Sequence, residues 1–241
     1  MKAQERHHLK QNEFAATVAR VSDSVRENRH RLVTGVIIVA LAAAAVGGYF
    51  WWKKQRSNDA GALLAAAMVV TQSPIAPAST VPGAAQAPGT FPTAKARHEA
   101  VLAAMQNVAA TYPSTQDGMI AAYQAAGTLY ALGRLPEAEK AYADVITRAG
   151  GESVLGLSAR LGLAETMADQ GKYDQAIKEF TDLAALRDGL LPIDGVLVEM
   201  ARTYVKAGKR SDARATFKRV VDEFPTSVYV TEARQQMALL G

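Results

Sequence analysis

Gly133–x4–Ala138–x3–Tyr142 recurs as Gly171–x4–Ala176–x3–Phe180 and again as Gly208–x4–Ala213–x3–Phe217, the glycines 38 and 37 residues apart. Each residue type has a physical reason at its place. Glycine tolerates the left-handed backbone that ends a helix. Alanine early in the following helix lets two axes approach to roughly 8–10 Å. The aromatic four residues later lies on the same helix face and fills the groove between neighbours. A triplicate at nearly constant period predicts an all-α array of helical hairpins, each burying its face only against the next. Composition agrees: 49% of residues are apolar but only 7% aromatic, as expected for helices packed through small residues.

The pattern resembles tetratricopeptide repeats, whose unit carries glycine, alanine and an aromatic at these offsets and a proline at its end. Phe224–Pro225 supplies that ending for the last unit. Tyr112–Pro113 supplies it for a degenerate first unit, with Met105 at the aromatic position. This first unit pairs a helix at about 57–72 with one at 94–111. Between them lies the stretch 73–93, with five prolines and two glycines, whose composition predicts an extended, mobile loop without a core of its own. The early Trp and Leu-Gly positions of the family consensus are largely absent, as Ala122, Arg160 and Leu197 show. The spacing also exceeds the usual ~34 residues, which implies longer connections between hairpins. Residues 228–240 are expected to cap the last hairpin. "PST" at 113–115 and "PTS" at 225–227 place Ser or Thr after a proline, as expected for N-caps of the following helices. The repeat domain is thus expected to span 57–241, with about four hairpins and a cap.

A second feature constrains the compartment. Leu32 to Trp52 is a run of 21 residues without a charge, bracketed by Arg29, His30 and Arg31 on one side and Lys53, Lys54 and Arg56 on the other. At ~1.5 Å per residue such a helix matches a bilayer core of roughly 30 Å. Tyr49, Phe50, Trp51 and Trp52 stand where interfacial aromatics belong. A signal peptide has a shorter apolar region and starts earlier, and a soluble core helix shows a polar face. The run therefore reads as a single transmembrane anchor, residues 32–52, that contacts lipid. Residues 1–31 form a tail expected to be cytoplasmic. Within it Phe14, Val18, Val21 and Val25 predict a helix over 10–29, either lying on headgroups or simply extending the anchor.

Charge follows this division. Residues 1–56 hold ten Lys/Arg against four Asp/Glu, and residues 94–241 hold seventeen against eighteen. The basic excess flanks the anchor rather than the repeats, which argues against nucleic acid as a partner. The tail, the anchor ending in "GGYFWWKKQR", the preceding "VRENRHRLVTGVIIV" and about four repeats together resemble the YfgM-type ancillary subunits of the bacterial SecYEG translocon. The longer tail and the proline-rich insert depart from that family. The resemblance implies an inner-membrane protein with periplasmic repeats, an adaptor between translocon subunits and periplasmic chaperones. A scaffold or assembly subunit of another envelope complex is the alternative.

No chemistry stands out. There is no cysteine, and the four histidines show no HxxxH or HExxH spacing. No GxxxxGK[ST] or GxGxxG occurs, so no catalytic, cofactor-binding or metal-binding residue is assigned and no enzyme activity is expected. The remaining candidate is a surface. In tetratricopeptide arrays the first helix of each hairpin lines a concave groove. The resemblance puts Tyr123 and Tyr130, Glu165 and Asp169, and Arg202 and Lys206 there, an aromatic-to-acidic-to-basic order along the array. These residues serve either as a polypeptide clamp or as ordinary solvated helix faces. The orientation is testable: with more arginines before the anchor than cations after it, protease added to sealed spheroplasts should digest the repeats. Their protection would reverse the topology.

Overall fold

The computed structural model describes residues 29–76, 86–186 and 190–241. The chain divides into two compact units, 1–55 and 56–241. The helix expected over 10–29, except its last residue, and residues 77–85 of the expected loop lie outside the described residues.

In the first unit the anchor segment is helical, part of α1 (Arg29–Gln72). Its large apolar side chains are exposed, from Val33 to Trp52. Tyr49 packs edge-on against Phe50 at 5.8 Å and lies 6.3 Å from Trp52. The helix Val33–Gln72 is long and apolar enough to cross a membrane, with none of its most apolar window buried. The anchor segment and the stretch 57–72 lie in this one helix. Neither Gly47–Gly48 nor the charged Lys53–Arg56 stretch stops the helix, because no left-handed glycine or proline follows them. The first proline, Pro74, comes two residues after the helix ends.

In the second unit, the end of α1 is followed by α2 (Ala94–Thr111), α3 (Gln116–Ala131), α4 (Leu135–Ala149), α5 (Val154–Asp169), α6 (Tyr173–Ala184), α7 (Ile193–Lys206), α8 (Arg210–Glu223) and α9 (Val230–Leu240). Consecutive helices from α2 to α9 pack on one another, and α3 also touches α5 and α5 touches α7. The first helices thus form one inner row. The ends of the proline-rich insert are clipped together: Ile75 bridges Phe91, with Ala76 donating to the Phe91 carbonyl at 2.9 Å and Phe91 to that of Pro74 at 3.0 Å. Thr93 then caps α2.

The three turns within hairpins are copies of one another. Gly133, Gly171 and Gly208 have φ of 72°, 78° and 73°, as their spacing predicts. Each donates to the carbonyl three residues back, and the next residue donates five back: Arg134 to Leu129, Lys172 to Met167 and Lys209 to Tyr204, each at 2.9 Å. This is the Schellman arrangement. The turn is so tight that the residue after glycine is also the N-cap of the second helix, which leaves α4, α6 and α8 without a side-chain cap. Glu137, Asp174 and Asp212 supply negative charge to those first turns instead. The same three cations reach an earlier hairpin's second helix: Arg134 to Glu99, Lys172 to Glu139 and Lys209 to Asp174. Turn closure and register between hairpins therefore share one residue. Turns between hairpins have room for true caps, Thr115 and Ser153, which accept from Gly118 and Gly156 at 3.0 Å and stabilise by about 1 kcal/mol each. Ser227 is no N-cap of α9, which starts after Tyr229; its hydroxyl donates to Asp194 at 2.6 Å and accepts from the Tyr229 amide.

The repeated alanines Ala138, Ala176 and Ala213 are fully buried, as are Met105, Phe180 and Phe217, with Tyr142 nearly so. Tyr142 is the tightest fit. A Cβ on Gly162 would lie 2.5 Å from its ring, whereas one on Gly127 would stand 3.5 Å from its hydroxyl, an ordinary contact. These two helical glycines should respond oppositely to alanine. Gly162→Ala forces the ring to move and should cost about 1–3 kcal/mol. Gly127→Ala gains helix propensity and should stabilise by up to ~1 kcal/mol. Thermal unfolding of the two variants in detergent checks the sign of each.

Candidate functional site

The side chains of the inner helices α3, α5 and α7 converge on a cleft of about 250 Å³. Tyr130, Glu165, Asp169, Glu199, Arg202 and Lys206 form its polar lining, and Ala168, Phe180 and Thr203 complete it. The helical period explains the convergence. Tyr130 lies in the last turn of α3, Glu165 and Asp169 are four apart on α5, and Arg202 and Lys206 are four apart on α7.

Five of the six residues expected on the groove are brought together here. Tyr123 is the exception: its ring lies 5.9 Å from that of Tyr142, making it part of the packing between α3 and α4. Aromatic, acidic and basic groups lie in that order on α3, α5 and α7, and opposite charges close across the hairpins. The Tyr130 hydroxyl donates to one oxygen of Asp169 at 2.5 Å, and Lys206 Nζ donates to the other at 2.6 Å. Arg202 donates through Nε and Nη2 to the two oxygens of Glu232, at 2.8 and 2.7 Å, and through Nη1 to Glu199 at 2.5 Å. Glu199 was within reach of sequence reasoning, three residues before Arg202 on the same helix. Glu232 lies thirty residues beyond it on the capping helix, where no local pattern points.

Glu165 is left over. It accepts no hydrogen bond and makes no ion pair among the described residues. Burial pushes its carboxyl up to about 7, and the negative charges of Glu199 and Asp169 add to the effect more than Arg202 and Lys206 relieve it. Asp169 goes the other way. Burial tends to raise it, but the hydrogen bonds from Lys206 and Tyr130 hold it below the usual aspartate value. Tyr130, in turn, is raised by burial and by its bond to Asp169. Among the described residues no group of three or more His, Cys, Asp or Glu is placed to hold a metal ion.

The two carboxyls should leave opposite marks on stability. For Glu165 the folded value exceeds the unfolded one, so its favourable contribution is complete below about pH 4.5 and is lost as pH rises through about 7. Glu165→Gln should therefore match the parent near pH 4 and exceed it near pH 8 by on the order of 1–3 kcal/mol. Asp169→Asn should do the reverse, losing stability above the ordinary aspartate range. Denaturant unfolding at pH 4, 6 and 8 reads both.

The sequence matches the family model described as a tetratricopeptide repeat-like domain over residues 25–187, more than half of the chain. It also matches the tetratricopeptide repeat over residues 196–227. No curated protein matches it. Among solved structures it is similar to nearly identical TPR-like repeats of a Podosopora anserina putative kinesin light chain. That likeness has a TM-score of 0.51 at 16% identity and covers 60% of this chain and 77% of the other. At that identity it speaks to the fold alone. The repeat triplicate, the inner row of first helices and the family match converge: the chain belongs to the tetratricopeptide repeat-like domain family, an architecture of protein-interaction modules.

Proposed function

We propose that the chain is a membrane-anchored docking module that engages a polypeptide partner along its inner helices, as an adaptor between translocon subunits and periplasmic chaperones of a bacterial inner membrane. The observation that carries the docking role is the cleft itself. Three successive hairpins each contribute polar side chains to one concavity, so a ligand lying across it contacts all three. A solvated helix face has no need of such convergence. Tyr130 and Arg202 are of the residue types that dominate binding energy when a partner covers them. The exposed apolar helix supports the anchor, residues 32–52. Its flanking charges support a cytoplasmic N-terminus and a periplasmic repeat domain. The adaptor role rests on the combination of tail, anchor and repeats.

Purification of the full chain in mild detergent, followed by mass spectrometry, tests the reading. Translocon subunits or periplasmic chaperones should co-purify. Recovery of one fixed assembly of another kind would replace the adaptor with a scaffold. Tyr130→Ala should lower partner recovery about tenfold, equivalent to roughly 1.4 kcal/mol, with helical content unchanged. Tyr123 is a poor choice for this purpose because its loss disturbs the contact with Tyr142.

A further inference from the structure

We infer that the cleft is a receptor for one basic side chain of an extended polypeptide, whose ammonium or guanidinium pairs with Glu165. This rests on the docking role proposed above and specifies its chemistry.

The inference follows from which groups are already satisfied. Both cations of the cleft are engaged, Lys206 by Asp169 and Arg202 by Glu199 and Glu232. The Tyr130 hydroxyl is spent on Asp169. A partner carboxylate would have to displace one of these pairs before finding a donor. The group without a partner among the described residues is an acceptor, Glu165, and its neighbours, Asp169 on the same helix and Glu199 on α7, leave a surplus of negative potential there. A cation entering the cleft gains all three attractions and displaces none of the existing bonds.

Size and lining agree. At about 250 Å³ the cleft is below the usual ~300–1,000 Å³ of small-molecule pockets and suits a single long side chain. Ala168 and Phe180 lie buried behind the polar groups, so the cleft receives the charged head of that side chain. The groups facing Glu165 are Tyr123 and Tyr130 from α3, Tyr142 from α4, Asp169 from its own helix, and Glu199, Arg202 and Lys206 from α7. Of these only Arg202 and Lys206 are cationic. Because Glu165 titrates near pH 7, protons compete with the basic side chain.

The test uses the full chain in mild detergent on an array of random decapeptides, each with one fixed central residue: lysine, arginine, norleucine or glutamate. Lysine and arginine spots should retain at least five times more protein than norleucine or glutamate spots at pH 8. The excess retained by the basic sets over the norleucine set should fall about tenfold between pH 8 and pH 6, as the ionised fraction of a group titrating near 7 does. Glu165→Gln should bind all four sets alike at both pH values, while Glu137→Gln, altered on a second helix, keeps the preference. Circular dichroism confirms that both variants are folded. Capture without basic preference, or a preference that survives in Glu165→Gln, overturns this inference and leaves peptide docking standing. Failure of every set to retain the protein overturns both.

Discussion

The repeat domain depends on the closeness of its helices, and that closeness depends on side chains too small to hold them apart. Ala138, Ala176 and Ala213 each sit fully buried where a hairpin's second helix meets its first. With the axes near one another, the aromatic a turn later becomes a wedge of the right depth. Phe180 and Phe217 fill that space completely, and Tyr142 fills it so tightly that the facing residue on α5 has no side chain at all. Dispersion forces reward such contact only within a fraction of an ångström. The same geometry sets the position of every inner helix relative to the next.

The cleft is a consequence of that spacing. Once α3, α5 and α7 stand in a row, the polar residues of their C-terminal halves face one another across distances that charged side chains can span. Asp169 becomes the junction of three hairpins, receiving Tyr130 from one side and Lys206 from the other. Arg202 ties the last inner helix to the cap through Glu232. These bonds are partly solvated, so they contribute modestly to stability. Their larger effect is to decide which groups remain available to a partner, and Glu165 is what remains.

Local features of the fold were legible in the chain. A left-handed glycine, a small residue and an aromatic at fixed offsets act within one hairpin, so Gly133, Gly171 and Gly208 announce their turns without reference to anything distant. Thr115 likewise caps the helix that begins beside it. Legibility failed where the deciding interaction was remote. The "PTS" stretch looked like a cap, but its Ser227 is drawn to Asp194, thirty-three residues earlier. Glu232 carries no signal of its role, since its partner lies on another helix.

What the amino-acid order determined by itself was the repeating unit and the apolar segment beside it. Each of these rests on interactions between positions a few residues apart. The tertiary structure alone decided how the inner charges are shared. Pairing between Tyr130, Asp169 and Lys206, or between Arg202 and Glu232, requires helices separated by thirty or more residues to stand side by side. Which carboxylate stays unpaired is then set by the three-dimensional match of donors to acceptors, a property that no segment of the chain possesses alone.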